Sequence, residues 1–387
     1  MPASDITAPA APALVGAVPA ARQRYLFGPI FDFIALGGSY LLLLPLFFLL
    51  PASAHEASIA TAMVVIANFV NHPHFAHSYQ IFYRDFGAKT FGADYDRVMR
   101  ARYLFAGIVV PALLVLFFVV ALAQPDARLL GYGGNIMLFF VGWHYVKQGY
   151  GMLMVDAALK KRYFPADDKK VFLVNAYAIW AFQWLYANAA LSERTMWGLT
   201  YYSFHIPAPL LGAAGAVALA TSAMTLWTLA RRWKANGGTL PANGVVAYLV
   251  TLYGWSLFIQ VVPLVVLVVP ALHSLQYLVV VWRHETNYAK DKVGGEDLPR
   301  GGLLRRFLGK RYRARVARFI LVGGGLGFLG FWGLPLAFQA IWPINKEIFG
   351  ASVFLFVFWI FINVHHYFMD NVMWRRENPD TRRYLFG

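Results

Sequence analysis

Histidines in apolar stretches are the residues of this sequence best suited to chemistry. The stretch NHPHFAHSYQIFYR, residues 71–84, carries three of them inside an apolar run: His72, His74 and His77. Further histidines have similar apolar surroundings: His144, His273, His284, His365 and His366. Histidine is rare in membrane-spanning helices, because hydrocarbon satisfies neither ring nitrogen, and it usually marks a functional site there. The pattern predicts that these segments meet at one metal site inside a membrane.

The composition indicates which class of protein carries these histidines. The chain has 387 residues, of which 59% are hydrophobic and 14% charged, and its mean hydropathy is +0.51. Soluble domains carry about 25% charged residues, so this chain lacks the polar surface of a soluble protein. The absence of cysteine excludes disulfides and thiolate metal sites. A metal would therefore be held by nitrogen and oxygen ligands.

Long apolar segments are the elements that must position the histidines. Ten are predicted to span the membrane, at about 29–50, 59–82, 103–123, 131–152, 171–190, 208–230, 244–262, 264–283, 317–341 and 349–373. The predicted fold is an all-α, polytopic helical bundle that forms a single transmembrane domain over residues 22–387. Residues 1–21, rich in Ala and Pro, are expected to be a disordered tail. Pro263 and Pro270 leave open whether the seventh and eighth segments are separate spans.

Basic residues predict the orientation of this bundle. Of the 34 Lys and Arg residues, 30 lie in the N-terminal tail, the even-numbered loops and the C-terminus, against three in the odd-numbered loops. Basic loops remain cytoplasmic, so both termini are expected inside, in a bacterial inner membrane. We therefore attribute the net charge of +15 to basic loops on the cytoplasmic side of the membrane. We expect contact with anionic lipids at the basic loops, the longest at about 284–316, and no nucleic-acid partner.

Sequence spacing places several histidines at a common depth. In three segments a histidine precedes a basic residue by ten positions: His74 and Arg84, His273 and Arg283, His365 and Arg375. At 1.5 Å per residue each ring lies about 15 Å from that basic residue. The predicted metal ligands are His74, His77, His144, His273, His365 and His366.

Polar neighbours on the same helix faces are expected to orient these ligands. They are Gln148, Gln276, Tyr277 and Asp370. Asp370 follows His366 by one helical turn, so the two side chains share a face. His72 is turned away from His74, and His284 lies about 16 Å along the helix from His273, too far to share its metal.

The ligand types favour oxygen chemistry. Imidazole and carboxylate without thiolate suit iron, zinc, copper or nickel. Zinc hydrolysis fits poorly, because no glutamate stands beside the inner histidines as in the HExxH motif. A site within the bilayer is most readily reached by an apolar, lipid-like substrate, and iron with dioxygen can attack unactivated hydrocarbon. The predicted function is an O2-dependent membrane oxidoreductase with one or two non-haem iron ions.

The order of the motifs resembles a known family. Pro73 with His74, His144 before an aromatic residue, His273 before a serine, and His366 with Asp370 are similar to motifs of the Brp/Blh family of membrane carotene dioxygenases. The resemblance implies an all-helical membrane fold and a single histidine-bound iron that cleaves β-carotene to retinal. The chain differs from that family after its His-Ser pair, where Gln276 and Tyr277 stand in place of a further histidine.

Three alternatives remain open from the sequence. A di-iron desaturase or hydroxylase, which would need an electron donor, also uses many histidines, but its HxxxH and HxxHH spacings are missing. A b-type cytochrome would carry paired histidines at two depths, whereas the histidines here cluster at one depth on four segments. A metal or solute transporter would carry intramembrane carboxylates and broken helices in related halves, and neither is evident in the sequence.

Overall fold

A computed structural model describes residues 24–49, 52–190, 193–196, 199–255, 264–296 and 309–386. The structure is 83% helical, which confirms the predicted all-α class. The predicted disordered tail, Pro263 and residues 297–308 of the basic loop lie outside the described residues.

The described helices, in chain order, are α1 (Pro29–Leu49), α2 (Ala52–Phe69), α3 (Asn71–Tyr83), α4 (Phe86–Phe91), α5 (Arg97–Leu122), α6 (Arg128–Leu159), α7 (Ala166–Ala190), α8 (Ala208–Ala235), α9 (Ala242–Gly254), α10 (Val265–Val293), α11 (Arg311–Ile341), α12 (Lys346–Phe349), α13 (Val353–Met373) and α14 (Pro379–Leu385). Two short strands between α7 and α8, β1 (Glu193–Met196) and β2 (Leu199–Tyr202), pair antiparallel with Thr195 opposite Thr200. This hairpin was not predicted from the sequence.

Six of the described helices are long and apolar enough to cross a membrane: α1, α5, α8, α10, α11 and α13. This finding supports a membrane protein, whereas the count of ten spans stays a prediction. The predicted segment 59–82 divides into α2 and α3 near Val70, where Pro73 falls in the first turn of α3. Proline suits that position, because the first N–H groups of a helix have no partner within it.

Two helices form the centre of the bundle. Of the most apolar 18-residue stretch of each helix, 72% is buried in α13 and 61% in α10, against 11% in the peripheral α8. Helix α13 packs against α3, α5 and α6, while α10 packs against α2, α3 and α11. The four helices that carry the inner histidines, α3, α6, α10 and α13, therefore meet in the interior.

Short π-helical turns occur in four of the described helices, at Ile34–Gly38, Phe105–Val109, Val250–Gly254 and Leu329–Gly333. Such turns disturb the regular hydrogen-bond ladder and often occur near functional sites. Two carbonyls in these turns contact side chains of α10 and α13. The Leu36 carbonyl accepts from Gln276, and the Ala106 carbonyl lies 3.0 Å from His365 Nε2. These contacts tie α1 to α10 and α5 to α13.

Glycines bring α11 close to α3. A Cβ atom at Gly323 would lie 2.2 Å from the His77 ring, and one at Gly327 would lie 2.8 Å from the His72 backbone. Both distances are too short for any side chain, so this close packing requires glycine. The His77 ring consequently stacks on Phe319, with the ring centroids 4.4 Å apart.

Candidate metal centre

Four helices each place one histidine in a buried cluster. His74 lies on α3, His144 on α6, His273 on α10 and His366 on α13. The ring centroids of neighbouring members are 4.6–5.3 Å apart, and each residue is at most 5% exposed. Ligand atoms of His74, His144 and His366 all lie within 4.8 Å of one another. The structure thus brings together four of the six predicted ligands.

Neighbouring groups fix the ring of His74. Its Nδ1 atom lies 3.0 Å from the Asn71 carbonyl and 3.1 Å from the Ser274 hydroxyl. An Nδ1–H group donates to that carbonyl and leaves the Nε2 lone pair directed at the other histidines. Metal-binding histidines are commonly held in this way by a hydrogen bond from the second ring nitrogen.

Asp370 adds a carboxylate to the cluster. Its Oδ1 atom accepts a 2.8 Å hydrogen bond from the Tyr277 hydroxyl. Its Oδ2 atom faces the histidines, 3.3 Å from His366 Nε2 and 3.8 Å from His144 Nε2. The Tyr277 hydroxyl is itself held by two further side chains, Ser78 at 2.6 Å and Trp374 at 3.3 Å. One oxygen is therefore anchored while the other points at the cluster centre.

Unpartnered buried atoms indicate that the cluster is built to hold a group. His144 Nε2, both ring nitrogens of His273 and Asp370 Oδ2 have no hydrogen-bond partner. Leaving a buried polar atom unpaired costs about 1–3 kcal/mol, so most such atoms in proteins are satisfied. A bound cation would satisfy several of these atoms at once.

The spacing of the donor atoms fits a metal ion. His74 Nε2 and His366 Nε2 are 3.0 Å apart. Two nitrogens that lie about 2.0–2.1 Å from one ion, at roughly tetrahedral or octahedral angles, are about 2.9–3.4 Å apart. Imidazole nitrogens with one carboxylate oxygen suit iron, zinc, copper or nickel. The residues present therefore fit a transition metal.

Aromatic side chains enclose the cluster. Phe75 packs against His366 with ring centroids 4.8 Å apart, Tyr145 lies 4.2 Å from His273, and Tyr367 stacks on His144 at 4.5 Å. These rings separate the polar atoms from solvent.

The structure keeps the other two predicted ligands apart from this cluster. His77 Nδ1 lies 3.2 Å from the Gln80 amide, on the side of α3 that faces α11. His365 is held between the Tyr79 hydroxyl at Nδ1, at 2.9 Å, and the Ala106 carbonyl at Nε2. Both ring nitrogens of His365 therefore have protein partners.

Two further buried histidines, His72 and His284, also pack elsewhere. His72 stacks on Phe331, with ring centroids 4.1 Å apart. His284 lies edge-on between Trp374 and Tyr384. Neither lies beside the four clustered rings, in agreement with the predicted separation of both residues.

The predicted glutamines contact backbone rather than histidine rings. Gln148 Nε2 donates to the His273 carbonyl at 2.9 Å and to Gln276 Oε1 at 3.0 Å. Gln276 in turn donates to the Leu36 carbonyl. The pair therefore links α6 and α10 to α1.

Sequence reasoning missed several residues that support the site. Asn71 and Ser78 stand three residues before and four residues after His74, so helical periodicity could have placed them on its face. Ser274 directly follows His273 but contacts His74 on another helix. Its role depends on how α10 packs against α3, and local sequence carries no signal for that.

Comparisons with protein-family models, with curated proteins and with solved structures found no match to this chain. The fold and site define a predominantly helical protein that has helices long and apolar enough to cross a membrane and a buried histidine cluster that could hold a metal.

Proposed function

We propose that the protein is a membrane oxygenase that binds non-haem iron through histidines and acts on an apolar, lipid-like substrate. The observation that carries the proposal is the buried cluster itself. Ligand atoms of His74, His144 and His366 lie within 4.8 Å of one another. The His273 ring and the Asp370 carboxylate lie beside them, and several buried nitrogen and oxygen atoms of these residues have no hydrogen-bond partner. Intramembrane ionisable groups of this kind usually mark function.

The ligand set we propose is His74, His144, His273 and His366, with Asp370 beside them. His77 and His365 have other partners, which favours one iron over two and ranks the di-iron enzyme second. When bound, iron supplies activation of dioxygen, which the chain's own side chains lack.

The remaining roles belong to the chain. Asn71 and Ser274 hold the His74 ring, and Tyr277 holds the Asp370 carboxylate, so the donors are arranged before binding. The carboxylate offsets part of the positive charge of a bound cation. The aromatic walls exclude water, which favours an apolar substrate that enters from the lipid.

The motif resemblance to Brp/Blh proteins makes carotenoids the first substrates to test. Oxidative cleavage of a carbon–carbon double bond by dioxygen gives two carbonyl groups and incorporates both oxygen atoms. That reaction consumes no external electrons, whereas desaturation or hydroxylation requires an electron donor. Turnover without a donor therefore separates the two oxygenase classes.

The proposal includes a topology. Ten membrane spans with both termini in the cytoplasm of a bacterial inner membrane agree with the distribution of Lys and Arg along the chain. In this orientation the metal centre lies toward the cytoplasmic side.

Metal analysis of the detergent-purified protein, with its visible spectrum, tests the proposal. About one iron per chain without a Soret band is the expected result. Two irons would favour the di-iron alternative, and a Soret band would indicate a cytochrome. A metal-free protein that folds normally and fails to bind added Fe(II) would overturn the proposal.

Alanine variants test the ligand set. Loss of bound iron is expected for the four cluster positions: His74→Ala, His144→Ala, His273→Ala and His366→Ala. Matched controls outside the cluster should retain iron: His77→Ala and His365→Ala. Circular dichroism and size-exclusion chromatography would establish that each variant is folded. Equal iron content in both groups would refute the assignment.

Product analysis tests the substrate class. Iron-loaded protein in bicelles that contain β-carotene is expected to form retinal under air, with no reductant added. The His74→Ala variant serves as the inactive control. Iron-dependent product that forms only with an added electron donor would reject cleavage and support the desaturase or hydroxylase class.

A further inference from the structure

A second feature lies on the face of α13 that points away from the metal centre. Phe368 and Asn371 are turned to the opposite side of this helix from His366. Together with α5 they line an open groove of about 500 Å³. That volume falls within the range of about 300–1,000 Å³ common for ligand sites.

Both polar and apolar side chains line this groove, which we call the α5–α13 groove. Its polar residues are Arg97 and Arg102, from the first turns of α5, and Asn371. Its apolar residues include Val98, Ala101 and Phe368. Such a combination matches an amphipathic ligand that has an anionic head.

Neither arginine of the groove is neutralised by an ion pair. Within the described part of the chain, neither Arg97 nor Arg102 lies within 4.0 Å of a carboxylate oxygen, and Arg102 donates a hydrogen bond to the Met99 sulfur at 3.8 Å. Asp96, next to Arg97, accepts a hydrogen bond from the Met99 backbone N–H.

Two more cations lie nearby. Arg375, just after α13, repels Arg102, and Lys147 on α6 repels Arg375. Glu377 is the acidic group that acts on Arg375. Arg102 of the groove thus lies close enough to Arg375 for the two positive charges to repel each other. An anion at this position would relieve the repulsion.

The groove also lies where a lipid would meet it. It opens at the start of α5, the most apolar of the candidate membrane spans, with a mean hydropathy of 2.9. Arginine binds phosphate oxygens through paired N–H donors. The basic ends of membrane helices also attract anionic headgroups.

We propose that the α5–α13 groove binds one anionic phospholipid. Its phosphate contacts Arg97 and Arg102, and an acyl chain lies along Val98, Ala101 and Phe368. The lipid bridges α5 and α13, so it stabilises the helix that carries His366. This inference is independent of the metal and of the oxygenase proposal.

Lipid add-back to delipidated protein in detergent tests the site, with binding followed by native mass spectrometry and by thermal stability. Phosphatidylglycerol is expected to bind and to raise the unfolding temperature, and phosphatidylcholine with the same acyl chains is not. The double variant Arg97→Gln/Arg102→Gln should bind phosphatidylglycerol at least about tenfold more weakly, because it loses two charged donors. Equal binding of the two lipids would overturn the proposal.

Two further variants sharpen the test. Arg100→Gln combined with Arg313→Gln removes the same charge from residues outside the groove and should bind phosphatidylglycerol as the wild type does. Ala101→Trp fills the apolar part without changing charge and should also weaken binding. If Ala101→Trp fails to fold, the charge variants still decide the matter.

Soluble anions distinguish a lipid site from a simple phosphate site. Inorganic phosphate and glycerol phosphate should neither stabilise the protein nor displace bound phosphatidylglycerol at equal concentration. Stabilisation by inorganic phosphate equal to that by the lipid would reject the lipid. Equal loss of binding in the Arg97→Gln/Arg102→Gln variant and in the control pair would show general charge attraction and would also reject the site.

Discussion

Replacement of Asp370 by asparagine tests whether this carboxylate belongs to the metal centre. The change keeps the size of the side chain and removes its negative charge. Asp370 Oδ2 lies 3.3 Å from His366 Nε2 and has no hydrogen-bond partner of its own. The variant is therefore expected to fold, to keep the four histidines in place and to bind metal more weakly.

The size of the effect follows from linkage. Loss of a group that supports a metal site typically lowers affinity by about 10–100-fold. A metal at 100 times its dissociation constant stabilises the folded protein by about 2.7 kcal/mol. At that metal concentration, the weaker affinity of Asp370→Asn reduces the gain to about 0.4–1.4 kcal/mol.

The assay is unfolding of metal-depleted protein in mixed detergent micelles, with and without Fe(II), under anaerobic conditions. Asp156→Asn is the matched control. Asp156 is also a buried aspartate, but it bonds Lys160 and the Gly244 N–H. It lies about 18 Å along α6 from His144. In the control, metal should raise the free energy of unfolding as much as it does in the wild type. An equal rise in Asp370→Asn would show that the carboxylate takes no part in metal binding.

Three further changes test the surroundings of the site. Tyr277→Phe removes the donor to Asp370 Oδ1, so the free energy of unfolding of the metal-free protein should fall by about 1–3 kcal/mol in the same micelle assay. Gly323→Leu forces a side chain against the His77 ring, and the overpacking should lower that free energy by about 1–3 kcal/mol. Burial lowers the pKa of Lys89, which lies outside the membrane spans, from 10.5 to about 8. The unfolded chain then binds more protons between these pH values, so the thermal stability of the wild type relative to Lys89→Met should rise from pH 8 to pH 10.

Each of these predictions has its own contradicting result. An unchanged stability of Tyr277→Phe would mean that other groups satisfy Asp370. Gly324→Leu, next to Gly323 but with open space around its Cβ position, should be tolerated, and equal damage from both leucines would exclude specific helix packing. A stability difference between wild type and Lys89→Met that does not vary with pH would contradict the lowered pKa of this lysine.

The class of protein and the elements that carry the site could be predicted from the sequence. Hydropathy and periodicity are local properties, and they indicated an all-helical membrane protein with histidines on particular helices. Helical spacing also put His366 and Asp370 on one face, as the structure has them. The break near Val70, the hairpin and the π-helical turns were not predicted, because they depend on how neighbouring segments pack.

Which histidines join the cluster could not be predicted from the sequence. His77 and His365 have the same residue type and nearly the same predicted depth as His74 and His366. Helical periodicity turns His365 about 100° from His366. The tertiary structure decides what each ring meets, because Gly323 lets α11 pack over His77 and a π-helical turn in α5 offers the Ala106 carbonyl to His365. Depth along a helix is fixed by sequence distance at 1.5 Å per residue. The partner that each ring meets is fixed by the rotation and contacts of neighbouring helices, which no local pattern encodes.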